Sequence, residues 1–472
     1  MTMIRYDHFY AGGSIIPVKG PGRHTVVDPA KEVACADVWL CGHGEVDLAI
    51  KHARRGFDAW RHSSLGERGA ALQRLKAALE QRSGEISQLL ATEMGCPVWL
   101  AGLMQMPMPL KGIDCAIEGL SQIAWEERIG NGLVERVPSG VVAAITPWNF
   151  PVHQIVAKVA AAVAAGCSVV LKPSEAAPGA AWAFMQAVHD AGLPAGVVNL
   201  VWGDAEAGAY LVTHAGVDRI SFTGSTAVGQ RIMASAATSL TPVTLELGGK
   251  SVAVLLDDAD LAAAIPVIVR MGLANSGQAC VSQSRLLVPR HLRDEVIARF
   301  RQAAAGWVLG DPLDPATRLG PVATAAQYAR VNRMIARATE QGASCVVGGP
   351  APLARGYFVT PTLFANVQPE MEIARQEVFG PVVALMTYDN EHEAADLANA
   401  SGYGLSGAVW AADPVRALSF ARRMKTGQVV INGAAQNLAT PFGGWGLSGF
   451  GRENGRFGIE DLLAFRSLHG AG

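Results

Sequence analysis

A cysteine and a glutamate in two separate motifs have the types and spacing for covalent catalysis on a carbonyl group. Cys280 closes the segment Gly277-Gln-Ala-Cys280, and Glu246 lies thirty-four residues earlier in Thr244-Leu-Glu-Leu-Gly-Gly-Lys250. A thiolate attacks carbonyl carbon, and a carboxylate activates the water that releases the acyl product. An arbitrary cysteine and glutamate would more often be a core residue and a solvated one. Their surroundings instead predict a nucleophile at Cys280 and a base at Glu246.

The local sequence around each of the two residues favours a reactive state. Cys280 follows the small and polar segment 275–278. This predicts a loop or a helix start whose backbone N–H groups lower the pKa of the thiol. Glu246 stands between two leucines and before two glycines. This predicts the end of a strand in a partly desolvated place, where the pKa of a carboxyl rises towards that of a useful base.

Composition indicates a globular protein of several domains without nucleic acid, membrane or metal partners. A length of 472 residues predicts two or three domains, and a net charge of −2 gives no electrostatic reason to bind nucleic acid or an anionic membrane. The seven cysteines are scattered without metal-binding spacing, which predicts reduced thiols and a cytoplasmic protein. We expect no signal peptide, and no transmembrane span because Lys158 and Gly166 interrupt the longest apolar stretch.

Strand and helix patterns alternate from residue 140 to about 243, which predicts a parallel sheet. Parallel sheets bind nucleotides at the carboxyl ends of their strands. Three polar segments fall at such ends: 146–151, 172–175 and 222–229. The last contains a Gly-Ser-x-x-x-Gly turn that either places backbone N–H groups near a pyrophosphate or only caps a helix at Ser225.

Two further regions have clear patterns. From 252 to 305 the sequence predicts a strand, a long helix over 259–275, the nucleophile, a strand over 285–288 and a helix over 292–305. From 123 to 137 it predicts a β-hairpin with its turn at Gly130-Asn-Gly132. An isolated hairpin is marginal in water and needs a further strand to pair with.

Together these motifs make the chain resemble the NAD(P)-dependent aldehyde dehydrogenase superfamily nearly from end to end. The motifs occur in the family's order and spacing: Phe9-Tyr-Ala-Gly-Gly13, the three strand-end segments, Leu245-Glu-Leu-Gly-Gly-Lys250, Gly277-Gln-x-Cys280 with Arg285, Glu377-Val-Phe-Gly-Pro381 and Gly451-Arg-Glu-Asn-Gly455.

The resemblance implies an α/β fold with a Rossmann-like parallel-sheet cofactor domain, an α/β catalytic domain and a β-hairpin oligomerisation arm. The implied domains are 1–119 with 138–248 for the cofactor, 249–455 for catalysis, and 120–137 with 456–472 for the arm. In the family the hairpin and a C-terminal strand, here 464–468, pair with another subunit. We therefore expect a homodimer or a homotetramer.

The resemblance also implies the reaction, which is oxidation of an aldehyde to a carboxylic acid through a thiohemiacetal and a thioester on Cys280. Water activated by Glu246 then hydrolyses the thioester. The side-chain amide of Asn149 and the backbone N–H of Cys280 form the implied oxyanion hole. Lys158 either joins a proton relay or serves as a structural ion-pair partner.

The implied cofactor is NAD, with NADP as the alternative. Lys172 and Glu175 hold the adenosine ribose in the family, and a carboxylate there repels the 2′-phosphate of NADP. Glu377 binds the nicotinamide ribose, and Phe379 either packs by the ring or is a core aromatic. The implied cofactor residues are Ile145, Thr146, Pro147, Trp148, Lys172, Ser174, Glu175, Gly203, Phe222, Thr223, Gly224, Ser225, Val228, Leu247, Gly248, Glu377 and Phe379.

The aldehyde pocket is likewise implied by the resemblance. Ala157 stands where relatives that oxidise succinic semialdehyde carry an arginine, and where many others carry a tryptophan. The missing arginine predicts an open pocket for an uncharged aldehyde, aromatic or bulky molecules included. The implied pocket residues are Phe150, Gln154, Ala157, Ala279, Val281 and Gln436.

Three other functions compete with this interpretation. A CoA-acylating semialdehyde dehydrogenase passes the thioester to CoA, and Glu246 argues against it because that branch generally lacks this base. A cofactor-free Cys-Glu hydrolase would use Cys280, Glu246 and Lys250 but leaves the strand-end segments without a role. A non-catalytic, crystallin-like protein would have no use for Cys280, Glu246 and Asn149 together.

Overall fold

The computed structural model describes residues 3–20 and 22–470. The strands are β1 (Ile4–Tyr6), β2 (His8–Ala11), β3 (Ser14–Pro17), β4 (Gly22–Asp28), β5 (Val33–Leu40), β6 (Glu126–Ile129), β7 (Gly132–Pro138), β8 (Val141–Thr146), β9 (Ser168–Pro173), β10 (Val198–Leu200), β11 (Arg219–Thr223), β12 (Val243–Glu246), β13 (Val252–Leu255), β14 (Arg285–Pro289), β15 (Ser344–Val347), β16 (Thr362–Ala365), β17 (Val382–Tyr388), β18 (Tyr403–Gly404), β19 (Ser406–Trp410), β20 (Gln428–Ile431), β21 (Trp445–Gly446), β22 (Gly449–Phe450) and β23 (Leu463–His469). The helices are α1 (His43–Trp60), α2 (Leu65–Gln81), α3 (Ser83–Met94), α4 (Val98–Leu100), α5 (Pro107–Leu120), α6 (Pro151–Ala165), α7 (Pro178–Asp190), α8 (Ala205–Thr213), α9 (Thr226–Ala237), α10 (Leu261–Leu273), α11 (Arg293–Ala304), α12 (Ala325–Glu340), α13 (Glu372–Arg375), α14 (Glu391–Asn399), α15 (Pro414–Ala421) and α16 (Gly455–Glu460).

The first large sheet has the strand order β22-β12-β11-β8-β9-β10-β2-β3. Its five central strands, β12 to β10 in that order, are parallel, which confirms the predicted parallel sheet. The chain runs from β8 to β9 and β10 on one side, but from β11 to β12 on the other. The strand order therefore reverses between β8 and β11, where a sheet of this kind binds its ligand. Thr146 and Thr223 end these two strands.

The second large sheet has the order β15-β16-β17-β14-β13-β19-β20, and all its neighbours are parallel except β15 and β16. Two hydrophobic clusters cover it, one formed with α10 and α11 and the other with α12, α14 and α15. Cys280 precedes β14 and so lies at the amino end of this sheet, whereas Glu246 ends β12 at the carboxyl end of the first sheet. The predicted nucleophile and base therefore come from facing edges of the two sheets.

The predicted hairpin forms with β6 and β7, and Ile129 pairs with Gly132 across the turn. Gly130 has a φ of +60°, a conformation that glycine adopts without strain at the first central position of a two-residue turn. β23 pairs with β7 along its length, from Leu463 opposite Pro138 to His469 opposite Gly132. The hairpin and the C-terminal strand thus make a three-stranded sheet whose β6 and β23 residues are mostly exposed.

Two segments lie outside the predicted domain boundaries. β22 belongs to the predicted catalytic segment 249–455, but it pairs with β12 and extends the first sheet. α16 belongs largely to the predicted arm segment 456–472, but the apolar side chains of Ile459 and Leu462 are buried in the core around the first sheet. The arm strand β23 therefore begins only at Leu463, and its exposed residues begin at Ala464.

The helix predicted over 259–275 is shorter than its pattern suggests. Asp260 caps α10, because its side chain accepts hydrogen bonds from the backbone N–H groups of Ala262 and Ala263. The helix ends at Leu273, and a 3₁₀ turn follows over Ala274–Gly277. Asn275 and Ser276 have φ values of +55° and +56°, so the chain turns away from the helix axis just before Cys280.

Within the described ranges 3–20 and 22–470, none of the helices has the length and apolar character to cross a bilayer, and no cluster of three or more histidine, cysteine or carboxylate side chains is placed to hold a metal ion.

Candidate active site

A cavity of about 610 Å³ lies where the carboxyl edge of the first sheet faces the amino edge of the second. Residues after β8, β11 and β12 form one wall, and Cys280 with the segment before β17 forms another. The predicted residues on its surface are Pro147, Trp148, Asn149, Gln154, Thr223, Gly224, Ser225, Leu247, Gly248, Cys280, Glu377 and Phe379.

Asn149 is tied to the turn that carries Cys280. Its side-chain Nδ2 donates a hydrogen bond of 3.0 Å to the carbonyl oxygen of Gln278, two residues before the cysteine. The Asn149 side chain is 4% exposed overall, yet the residue reaches the cavity wall. An amide nitrogen carries two hydrogens, so one N–H remains for an oxygen in the cavity.

The sequence predicts either a loop or a helix start at Cys280, and the residue lies in a turn. Burial, with smaller contributions from the carboxylates of Glu377 and Glu246, raises the pKa of the Cys280 thiol to about 12. The backbone N–H groups of Cys280 and Val281 lower this pKa, but by less. The predicted net lowering is therefore wrong, because burial and two carboxylates outweigh the backbone donors. The resting form is the thiol.

Glu246 ends β12 as predicted, and its side chain is 2% exposed. Neither carboxylate oxygen has a hydrogen-bond partner among the described residues. Burial and the carboxylate of Glu453 raise the pKa of Glu246 well above its usual range, while Lys158 and Arg452 act in the opposite direction. The predicted rise is confirmed in direction. Glu246 does not reach the cavity wall in this conformation.

Lys158 forms a buried ion pair with Glu453, and its side chain is fully buried. Glu453 comes from the segment just before α16, 295 residues further along the chain. Of the two predicted roles of Lys158, the structure contains the ion pair. Because Lys158 and Glu453 both act on the pKa of Glu246, the pair also sets the electrostatic surroundings of the predicted base.

Replacing Lys158 by methionine should destabilise the protein strongly. The change leaves Glu453 buried beside Glu246 without a cation, and breaking a buried pair in this way typically costs about 3–5 kcal/mol. We expect a clear fall in the thermal unfolding temperature of Lys158→Met. The double variant Lys158→Met/Glu453→Gln should recover much of it, and equal unfolding temperatures for the single and double variants would contradict the argument.

The ends of β8 and β11 have the features of a nucleotide site. The buried hydroxyls of Thr146 and Thr223 have no hydrogen-bond partner among the described residues. A Cβ added at Gly224 would come within 2.4 Å of the Phe222 ring, so the bare backbone is required here. The Ser225 side chain accepts a hydrogen bond of 3.4 Å from Val228 N–H and caps α9. Ser225 therefore has the predicted capping role, and the first turn of the helix that it caps lines the cavity.

On the opposite wall, Glu377 and Phe379 are held in unusual states. The Glu377 carboxylate accepts a hydrogen bond of 3.0 Å from Gly249 N–H, and burial raises the pKa of Glu377 to about 7. Phe379 has a φ of +56°, which is rare for an aromatic residue. Its ring centroid lies 5.6 Å from that of Trp148, and the two rings are nearly perpendicular. Such backbone strain concentrates at ligand sites.

Lys172 and Glu175 lie together at the end of β9, with Lys172 Nζ 3.9 Å from Glu175 Oε2. Burial lowers the pKa of Lys172. Gly203 approaches the lysine, since a Cβ there would lie 3.5 Å from Lys172 Cε. Ser174 Oγ accepts a hydrogen bond of 3.3 Å from Ala176 N–H. The remaining predicted cofactor residues, Ile145 and Val228, are packed against the core around the first sheet.

Comparison with known proteins identifies the family of the chain. The model of the aldehyde dehydrogenase family matches residues 17–468. The chain belongs to the aldehyde dehydrogenase family. It is 42% identical over 470 residues to 3-succinoylsemialdehyde-pyridine dehydrogenase from a Pseudomonas species, with 98% of each chain covered. It is 39% identical over 473 residues to geranial dehydrogenase from Castellaniella defragrans, with 99% of each chain covered.

Solved structures of other aldehyde dehydrogenases have the same fold. A cysteine-to-alanine mutant of aldehyde dehydrogenase C from Pseudomonas syringae, in complex with NAD⁺ and octanal, has a TM-score of 0.97 and 41% identity, with 99% of this chain and 97% of that chain covered. Mycobacterium tuberculosis aldehyde dehydrogenase complexed with NAD⁺ has a TM-score of 0.96 and 38% identity, with 99% of each chain covered. The predicted family, fold class and reaction class are thus confirmed: this aldehyde dehydrogenase is an oxidoreductase that acts on aldehydes.

The predicted substrate residues of this aldehyde dehydrogenase are not all at the cavity. Gln154 lines it, but Ala157 lines a separate cleft of about 10 Å³ between α5 and α6, roughly the room of one water. The open pocket predicted at Ala157 is therefore absent from this conformation, because α5 packs against α6. Phe150 is buried just before α6, and Ala279 and Val281 flank the nucleophile in sequence. Gln436 is exposed, and its side-chain amide donates a hydrogen bond to the Gln428 side chain.

Sequence reasoning missed several residues of the site. Glu453 stands in the motif Gly451-Arg-Glu-Asn-Gly455, where a carboxylate beside glycines was a usable signal. Gln327 and Arg330 of α12 also line the cavity. Gln327 donates to the carbonyl oxygens of Val378 and Phe379, and Arg330 donates to that of Glu377. Gln327 and Arg330 therefore hold the segment before β17 in place. No signal in the sequence indicated them, because polar residues on an amphipathic helix normally form its solvent-exposed face.

Proposed function

We propose that Cys280 is the nucleophile, Asn149 an oxyanion donor and Glu246 the hydrolytic base of an NAD-dependent aldehyde dehydrogenase. The observation that carries the proposal is a cavity in which Cys280, Asn149 and two of the three strand-end segments, 146–151 and 222–229, meet. The direct test is the formation of reduced cofactor from an aldehyde by the purified protein, followed at 340 nm. A protein that reduces neither NAD nor NADP with any aldehyde would refute it.

The reaction begins when the Cys280 thiol gives its proton to a water molecule of the cavity and the resulting thiolate adds to the aldehyde carbon. The negative charge that develops on the carbonyl oxygen is stabilised by the free N–H of the Asn149 amide and by the backbone N–H of Cys280. Hydride departs from the thiohemiacetal, and a thioester on Cys280 remains. Glu246 then rotates towards the cavity and removes a proton from the water that attacks the thioester, a task that suits its raised pKa. The carboxylic acid leaves and the thiol is restored.

The residues present fit a nicotinamide dinucleotide. The hydroxyls of Thr146 and Thr223 have no partner within the described ranges 3–20 and 22–470. The glycines of the strand ends leave room for close backbone approach, and the first turn of α9 faces the cavity. Glu377 and Phe379 lie on the wall that also carries Cys280. When bound there, the cofactor supplies a hydride acceptor.

Lys172 and Glu175 support NAD in preference to NADP. A carboxylate at the ribose repels the 2′-phosphate of NADP. Glu175→Ser should therefore raise the kcat/KM ratio of NADP to NAD by about tenfold, which corresponds to about 1.4 kcal/mol of removed repulsion. The measurement is initial rates with both cofactors. Glu118→Ser removes an exposed carboxylate of α5 and is the control. An unchanged ratio for Glu175→Ser would remove this residue from cofactor selection.

We propose an uncharged aldehyde as the substrate. The relatives include a geranial dehydrogenase and a pyridine-bearing semialdehyde dehydrogenase, and a similar solved structure is complexed with octanal. None of these three aldehydes carries a carboxylate. The test is a panel of these aldehydes beside succinic semialdehyde and short aliphatic ones. A preference for succinic semialdehyde would contradict the proposed substrate class.

We propose that the protein is a homo-oligomer joined through the three-stranded sheet of β6, β7 and β23. Ile129 and Phe465 of this sheet are 61% and 73% exposed, although both are large and apolar. Phe465→Asp should therefore shift the molar mass in light scattering from a dimer or tetramer towards a smaller species. Leu240→Asp is the matched control, because Leu240 is 87% exposed outside the sheet. A monomeric wild type would contradict the proposal.

A further inference from the structure

The backbone carbonyl oxygen of Asn149 receives hydrogen bonds from two buried side-chain amides. Gln105 Nε2 donates to it at 2.9 Å, and Asn275 Nδ2 donates to it at 2.9 Å as well. We propose that Gln105 and Asn275 are positioning residues for aldehyde oxidation, because they fix the peptide of Asn149 and so aim its side-chain amide at the Cys280 turn. This inference rests on the proposed role of Asn149 as an oxyanion donor.

Gln105 is an unusual residue for its surroundings. Its side chain is 0% exposed, and its Oε1 atom has no hydrogen-bond partner among the described residues. The amide nitrogen must face Asn149, since a flipped amide would set two oxygens against each other. A buried amide with an unsatisfied oxygen is worse for folding than an apolar side chain of the same shape. The Gln105 side chain also hydrogen-bonds with the Cys96 thiol, and its bond to the Asn149 carbonyl oxygen is the contact that reaches the proposed oxyanion donor.

The backbone on both sides is shaped for these two contacts. Gln105 ends a π-helix over Ala101–Gln105, between α4 and α5, and π turns of this kind occur frequently at functional sites. Asn275 has a φ of +55°, a left-handed conformation that asparagine tolerates better than most residues. From this conformation its Nδ2 reaches Asn149 and also the carbonyl oxygen of Gln278, at 3.3 Å.

The resulting network connects the two domains at the oxyanion donor. Gln105 belongs to the helices around the first sheet, whereas Asn275 belongs to the turn that leads to Cys280. Asn149 donates back to Gln278 in that same turn. Loss of either amide frees the Asn149 peptide to rotate, and a displacement of about 1 Å in a catalytic group can lower the rate about 100-fold.

The test is a double-mutant cycle between Gln105 and Asn149. Gln105→Met keeps the size of the side chain but removes the donor. We expect it to lower kcat about 10- to 100-fold, with KM for NAD and the thermal unfolding temperature close to those of the wild type. In the Asn149→Ala background the same substitution should change kcat by less than about twofold, since residues that act as a unit are not additive.

Asn275→Gly is the second variant, because glycine keeps the left-handed conformation and removes the side-chain amide. It also removes the donor to the Gln278 carbonyl oxygen, so it should lower kcat at least as much as Gln105→Met does and keep part of that loss in the Asn149→Ala background. Full kcat in both variants, or an equal loss for Gln105→Met in the wild-type and Asn149→Ala backgrounds, would overturn the proposal. A wild type that reduces no cofactor with any aldehyde would instead refute the proposed function, so the two failures are distinguishable.

Discussion

Cys280→Ala should abolish aldehyde oxidation and leave NAD binding intact. The thiol is the only protein group in the proposed mechanism that forms a bond to substrate carbon, so its removal takes away the covalent route. We expect kcat to fall at least about 10⁴-fold. The measurements are NADH formation at 340 nm and a titration of NAD by protein fluorescence.

The control for this substitution is Cys345→Ala. Cys345 is an exposed free cysteine in β15, away from the cavity that Cys280 lines. It should keep full activity. Substantial turnover by Cys280→Ala, or loss of activity in the Cys345 variant, would place the nucleophile elsewhere.

Glu246→Gln should separate the two halves of the reaction. The amide has the shape of the carboxylate but cannot accept a proton from water, so hydrolysis of the thioester should slow about 10²- to 10⁴-fold. Hydride transfer does not need this base. Rapid mixing should therefore show a first turnover of NADH close to that of the wild type, followed by a much slower steady state.

The pH dependence gives a second observable for the same residue. Burial and Glu453 raise the pKa of Glu246, so the carboxyl is protonated and inactive as a base at low pH. The wild-type steady-state rate should rise as pH increases through this raised pKa, and the Glu246→Gln variant should lack that rise. Equal losses in the first turnover and the steady state would instead place Glu246 before hydride transfer. No loss in either would remove it from the mechanism.

The first sheet could be predicted well because its information in the sequence is local. Each central strand of that sheet is a short apolar run, and the polar segment that follows it marks the carboxyl end. The segment 222–229 could therefore be placed at the end of a strand from the order of the residues, whereas the cofactor role of Thr223 and Gly224 was implied by the family resemblance. The parallel topology then predicts that these segments lie together, since it brings the carboxyl ends of consecutive strands to one edge of the sheet.

The parts of the site that could not be predicted depend on contacts between distant segments. The pairing of Lys158 with Glu453 and the packing of α5 beside Ala157 are tertiary events that no local pattern specifies. The predicted direction of the Cys280 pKa shift was wrong for the same reason. Its neighbours in sequence supply N–H donors, but the carboxylates of Glu377 and Glu246 come from elsewhere in the chain.

The late position of β22 and Glu453 has a consequence for biosynthesis. β22 is the edge strand beside β12, and Glu453 is the counter-ion of a lysine in α6. A growing chain that already contains Cys280, Glu246 and both large sheets still has an open sheet edge and an uncompensated buried cation. Contacts over such separations form slowly, and exposed strand edges invite misassembly in the meantime. The reaction centre therefore reaches its native form only after residues 449–453 have been synthesised, and chains that stop before these residues are the most exposed to misassembly.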